Sequence, residues 1–171
     1  MPPLRDNDHR QGSIGALILL MEYGDYPCQN SAEAYFTVQE IQGQLGKQLC
    51  FIYRHFPQSP ESSGWKASEA AEAAGVQGKF WEMHDTLCQN VNDLEDGDLV
   101  QYADRLDLDI PRFLKEMNAH THQARIQEDC DSGIEIGVTQ TPTFFISIRH
   151  QGHQNLAQLL QKILEVTPTD E

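Results

Sequence analysis

Polar residues fill positions 1–13, and the chain then turns abruptly apolar at Ala16-Leu17-Ile18-Leu19-Leu20-Met21. A continuous apolar run of this kind, closed by the turn-forming Gly24 and Pro27, predicts a strand over 16–22 buried on both faces. The period then changes. Ala34, Val38, Ile41 and Leu45 recur at helical spacing and predict a helix over 31–46, with Gly43 and Gly46 at its end. Leu49-Cys50-Phe51-Ile52-Tyr53 restores strand character over 49–54. A strand, a helix of this length and a second strand make a right-handed β-α-β unit with parallel strands.

Residues 57–65, with Pro57, Pro60, Ser62, Ser63 and Gly64, read as a loop. From there the pattern stays helical for a long stretch. Ala67, Ala70, Ala71 and Ala74 form a small-residue stripe, and Phe80, Met83, Leu87 and Val91 repeat at helical spacing. Leu99, Tyr102, Ala103 and Leu106 mark another helix, and Pro111 suits the first turn of the next, with Phe113, Leu114 and Met117. Ile126, Cys130 and Ile134 belong to a further helix ended by Gly137. Strand character returns over Thr141–Ile148. Leu156, Leu159, Leu160 and Ile163 predict a last amphipathic helix before a polar tail. No internal repeat is present. The order is β-α-β, a helical insertion, then β-(β)-α. This predicts a single α/β domain over 1–171, with an arm at 1–14, a core from 15–56 and 138–166, and an all-helical insertion at about 64–137. The polar arm is expected to be loosely attached.

Composition narrows the partners. The 171 residues carry 26 acidic and 12 basic side chains, a formal net charge of −14. That excess argues against a nucleic-acid phosphate backbone and against an anionic membrane surface as partners. Ala16–Met21 is too short to span a bilayer, and no charged-then-apolar leader precedes it. The expectation is a cytoplasmic protein with no membrane partner. The four cysteines, Cys28, Cys50, Cys88 and Cys130, are widely spaced, and none forms Cys-x-x-Cys. In a cytoplasmic protein such a scatter does not imply disulfides. Cys50, inside an apolar strand, reads as a small core residue.

Cys28 stands apart, because it falls where a strand hands over to a helix. The unpaired N–H groups and the dipole at a helix N-terminus favour thiolate over thiol, which makes the sulfur a nucleophile. Its bland alternative is an inert buried cysteine. Ser31 lies one helical turn on, so its hydroxyl can stand beside that sulfur and donate to the thiolate. It also fits an ordinary first-turn residue that satisfies backbone N–H groups. His84 and Cys88 are one helical turn apart, but a closed metal site needs four ligands, and they flank an apolar stripe. They are expected at the edge of the core. His120, His122, His150 and His153 show no ligand spacing, and no metal or cofactor is assigned.

The run Asp25-Tyr26-Pro27-Cys28-Gln29-Asn30-Ser31 resembles the active-site segment of the DsbA-like branch of the thioredoxin superfamily, which reads acid–Tyr–x–Cys–Pro–x–Cys after its first strand. Further segments resemble bacterial DsbA-like proteins: Asp8-His9 with Gly12, Arg54-His55-Phe56-Pro57, Gln77–Asp85, and Gly137-Val138-Thr139-Gln140-Thr141-Pro142-Thr143-Phe144-Phe145-Ile146. The resemblance covers nearly the whole chain and implies a thioredoxin fold with a helical insertion. It gives Cys28 the place of the attacking cysteine and Ser31 that of the resolving one, with Gln29 replacing the usual proline. It implies a cis bond before Pro142, facing Cys28, with Thr141 free to pair with an extended substrate. It also sets Glu22 beneath the cysteine, where a carboxylate can relay protons and burial raises its pKa. A solvent-facing strand-end position is the plain alternative for Glu22. The family's Asn-Gly turn after this strand is replaced by Ser147-Ile148, which implies a tighter or irregular final hairpin.

The functional expectation is a monothiol thiol–disulfide oxidoreductase built on Cys-x-x-Ser. Its catalytic residues are Cys28, Ser31 and Glu22, with Gln29, Asn30, Thr141 and Pro142 facing the substrate. The substrates are protein or peptide disulfides, with glutathione as a candidate co-substrate, since Ser31 cannot resolve a mixed disulfide. The alternative is a redox-inactive polypeptide-binding module or adaptor on the same scaffold.

Overall fold

The computed structural model describes residues 1–149. A four-stranded sheet is built from β1 (His9–Gln11), β2 (Ile18–Gly24), β3 (Leu49–His55) and β4 (Thr143–Ile148), in the spatial order β1-β3-β2-β4. Strands β2 and β3 are parallel, in register from Ile18 opposite Leu49 to Gly24 opposite His55. The crossover between them is α1 (Gln29–Leu45), followed by a short 3-10 turn over Gly46–Gln48. Strand β4 runs antiparallel to β2, and β1 antiparallel to β3. Between β3 and β4 lie α2 (Ser63–Gly75), α3 (Phe80–Gln89), α4 (Asp96–Arg105), α5 (Ile110–Asn118) and α6 (Gln123–Glu135). This is a mixed α/β thioredoxin fold with a helical insertion. Among the described residues, no helix is long and apolar enough to cross a membrane.

The two-residue period of a strand sorts the side chains of the central pair. Ile18 and Leu20 of β2, with Leu49, Phe51 and Tyr53 of β3, face the larger core, which the helices complete. Leu19, Met21, Tyr23, Cys50 and Ile52 face a smaller core with Val138. By the same alternation Glu22 falls on the face of Ile18 and Leu20, and it is only 4% exposed. A carboxyl group is thereby sent into the main core by strand geometry alone. The alanine stripe of α2 is fully buried at Ala67, Ala70, Ala71, Ala73 and Ala74, as small side chains allow when a helix packs closely.

The insertion's helices are set by local chemistry. The Ser62 hydroxyl caps α2 by accepting from the Trp65 N–H. Glu95 and Asp98 form a reciprocal capping box on α4, and Asp109 caps α5, with Pro111 in its first turn.

The structure departs from the sequence-based expectation at several points. The arm is tied down, because β1 adds to the sheet and Asp8 pairs with Arg54. Arg54, 1% exposed, donates to both Asp8 carboxylate oxygens (2.8 and 3.0 Å), to the Tyr23 hydroxyl and to the Pro3 carbonyl. A buried guanidinium needs partners on every N–H; the arm serves Nε and Nη2, and Tyr23 serves Nη1. Strand β2 runs on to Gly24, because its pairing with β3 continues that far. Helix α1 starts at Gln29, directly after Cys28. Strand β4 begins only at Thr143, since Pro142 has no N–H to give to a ladder. The hairpin after Ser147-Ile148, the helix over 156–163, and His150 and His153 lie outside the described residues.

Candidate active site

Strand β2 delivers Asp25-Tyr26-Pro27 to the start of α1, and Cys28 is the N-cap residue, with extended backbone angles of φ −80° and ψ 117°. Its carbonyl accepts the first helical hydrogen bond, from Ala32 N–H at 3.1 Å. An N-cap side chain faces the free N–H groups two and three residues on, which here belong to Asn30 and Ser31. As a thiol, Cys28 makes no capping bond and donates instead to the Thr141 carbonyl at 3.3 Å. That carbonyl can only accept, so it favours the thiol. Burial of the sulfur also works to raise its pKa. The Thr141 side chain, the backbone N–H and hydroxyl of Ser31 and the backbone N–H of Asn30 outweigh both, and the Cys28 pKa is lowered. The sulfur is half-buried, open enough to react.

The other three thiols are buried, and their pKa values move the opposite way. Burial raises Cys50 and Cys88. Cys130 is pushed up to about 12 by burial, with the charges of Asp129 and Asp131 adding to it. All four cysteines are free thiols. Of the four, Cys28 alone is both partly exposed and shifted toward the thiolate.

Ser31 is buried at 6% exposed, and its hydroxyl has no hydrogen-bond partner among the described residues. Its position near the sulfur favours a lowered Cys28 pKa. Glu22 sits in the core behind the cysteine. Burial pushes its pKa up to about 8, and a Cys28 thiolate contributes to that rise by like charge. Gly24, between them in sequence, is required by close approach. A Cβ there would lie 2.6 Å from the Tyr53 ring and 2.9 Å from Glu22 Oε1. The Thr141–Pro142 peptide bond is cis, and Thr141 borders Cys28.

A groove of about 610 Å³ opens beside the sulfur. Cys28 and Asn30 line one side, Thr141 another, and Phe56, Trp65 and Ile134 give it an apolar wall. Asn30 and Thr141 are therefore at the groove, as the sequence suggests. Gln29 is not; its side chain donates along the helix to Glu33 at 3.4 Å.

The groove's far wall comes from α2 and α6; α2 begins at Ser63, capped by Ser62, so Trp65 stands in its first turn and not in the loop expected over 57–65. Cys130 belongs to that wall, and it shares the groove with Cys28. Asp25 reads in the sequence only as part of the motif. It is 2% exposed, burial raises its pKa to about 6 against the opposing charge of His55, and its Oδ1 has no partner among the described residues. His84 and Cys88 are buried rather than at an edge, with Cys88 Sγ 3.7 Å from His84 Nε2. His84 also faces the Tyr26 hydroxyl. Burial, with the charges of His55 and His9, lowers the His84 pKa to about 3, so it stays neutral.

Known proteins resemble this chain in sequence and in fold. A family model described as thioredoxin matches residues 5–165. A Na(+)/H(+) antiporter NhaA 1 of Salinispora arenicola is 39% identical over 156 residues, which is 90% of this chain and 24% of that protein. A second antiporter, from Herminiimonas arsenicoxydans, is 32% identical over 94% of this chain and 25% of that protein. The chain spans about a quarter of the length of the curated relatives it matches. Among solved structures, Wolbachia pipientis alpha-DsbA1 superposes with a TM-score of 0.74 at 22% identity, covering 97% of this chain and 93% of that one. Oxidised BdbD from Bacillus subtilis superposes with a TM-score of 0.73 at 16% identity, over 96% and 94%. At these identities the solved structures speak for the fold, which is that of DsbA. With the matched segment extending over most of its length, the chain belongs to the thioredoxin family.

Proposed function

We propose that this chain is a monothiol thiol–disulfide oxidoreductase whose nucleophile is Cys28. The observation that carries the reading is the opposed electrostatics of the four thiols, with Cys28 lowered at a helix N-cap and Cys50, Cys88 and Cys130 raised. The Cys28 thiolate attacks one sulfur of a substrate disulfide, forms a mixed disulfide with it, and expels the other sulfur as a thiolate. Ser31 supports the thiolate but has no sulfur with which to break the mixed disulfide. An external thiol then attacks the substrate-side sulfur and returns Cys28 as a thiolate; glutathione is the candidate. Glu22 holds a proton near neutral pH and serves as its reservoir behind the sulfur. Asn30 and Thr141 receive an extended polypeptide in the groove, where backbone pairing gives affinity, with Pro142 following Thr141 across the cis bond. The setting is the cytoplasm, which suits four cysteines that are all free.

A second reading, in which the domain holds a polypeptide partner without turnover, rests on the groove beside Cys28 and on Ser31, which offers no second thiol. One experiment separates the two. Incubated with an oxidised peptide, the protein should accumulate one peptide-sized adduct on Cys28, seen by intact mass. Glutathione should clear the adduct. An unmodified protein that still binds the peptide would favour the module.

A further inference from the structure

Away from Cys28, three side chains from three elements converge on one point. His9 of β1, His55 at the end of β3 and Glu72 of α2 bring His9 Nε2, His55 Nε2 and Glu72 Oε1 within 4.8 Å of one another. Both ring nitrogens face the same carboxylate oxygen, at 2.8 and 3.1 Å. The rings are held in place. His9 lies flat on Phe80, with centroids 3.3 Å apart, and His55 is fully buried, edge-on to Tyr53 and Phe80.

We propose that His9, His55 and Glu72 form a binding site for a divalent transition-metal ion, zinc being the reference case, that clasps β1 and α2 to the edge of the sheet. Two imidazoles and a carboxylate suit zinc and its first-row neighbours rather than calcium or magnesium. Three protein ligands leave a further position open to water. Tetrahedral ligands bonded at about 2.0–2.2 Å stand about 3.4 Å apart, so the hydrogen-bonded separations of 2.8 and 3.1 Å need to open by only a few tenths of an ångström to admit the ion. His9 is only partly buried and gives the ion a way in. With the metal on Nε2, each ring carries its proton on Nδ1. His55 Nδ1 is buried without a partner among the described residues, and so is Asp25 Oδ1.

One neighbour works against a cation: Arg125 Nε lies 3.9 Å from Glu72 Oε1. Its guanidinium also donates to the buried Asp129, so its charge is already answered there. The chain as a whole, at −14, attracts cations.

The site is separate from the thiol, and its test is separate too. The protein is titrated with Zn2+ and with Co2+ as a spectroscopic probe. The expected result is one equivalent bound by the parent and by Cys28→Ser, a raised melting temperature in both, and an affinity loss of at least about 10-fold in His9→Gln. The Co2+ spectrum should show ligand-field bands without sulfur charge transfer, a reading that needs no variant. The proposal is overturned by no uptake in the parent, by a sulfur band, by loss of binding in Cys28→Ser, or by His9→Gln binding as well as the parent.

Discussion

Glu22→Gln should make the protein more stable at neutral pH, by up to about 3 kcal/mol at pH 7. Glu22 ionises at 4.5 in the unfolded chain and at about 8 in the fold, because the sheet places it in the core. Between those values the folded protein keeps a proton that the unfolded chain has given up. Stability from this group therefore falls as pH rises from about 4.5 through about 8, and levels off above that. Glutamine keeps the shape and does not titrate. Parent and variant should have similar urea midpoints near pH 5 and diverge steadily toward pH 8, with the variant ahead. Parallel profiles across that range would mean that Glu22 is solvated, and the proton reservoir behind Cys28 would be lost with it.

Ser31→Cys should turn a one-thiol site into a two-thiol one. Residue 31 is buried one helical turn from Cys28, and its hydroxyl lacks a partner among the described residues, so a thiol there strands none of those polar groups. An internal thiol resolves the mixed disulfide without waiting for collision. The variant should form an internal disulfide between positions 28 and 31 and reduce insulin with dithiothreitol at least about 10-fold faster than the parent. A variant that stays slow while Cys28 still alkylates as before would show that Gln29-Asn30 has reshaped the turn. The binding-module reading would then gain.

The central β-α-β unit is legible because its signals are local. An apolar run too continuous for a surface strand, a helical period and a second apolar run leave few alternatives. Cys28 is legible for the same reason, since a strand-to-helix junction fixes its surroundings before any tertiary contact forms. Glu22 is ambiguous in the sequence because a lone carboxyl at a strand end gives no sign of which face it takes. Its register beside Ile18 and Leu20 decides that. The arm misleads because its anchor is a long-range pairing, Asp8 with Arg54, which no periodicity carries. The groove's far wall is hidden similarly. Trp65 reads as the end of a loop, and Cys130 and Ile134 as ordinary helix positions, until α2 and α6 bring them to one groove with Cys28. His9, His55 and Glu72 are far apart in the chain, so no ligand spacing could announce them.

The most direct test is the rate of iodoacetamide alkylation at each cysteine as a function of pH, mapped by mass spectrometry on the native protein. Cys28 should be labelled first at neutral pH, with a midpoint below the ordinary thiol value of about 8.5, while Cys50, Cys88 and Cys130 stay protected until the fold opens. Faster labelling of Cys88 or Cys130, or a Cys28 midpoint at or above the ordinary value, would contradict the assignment of Cys28 as the nucleophile.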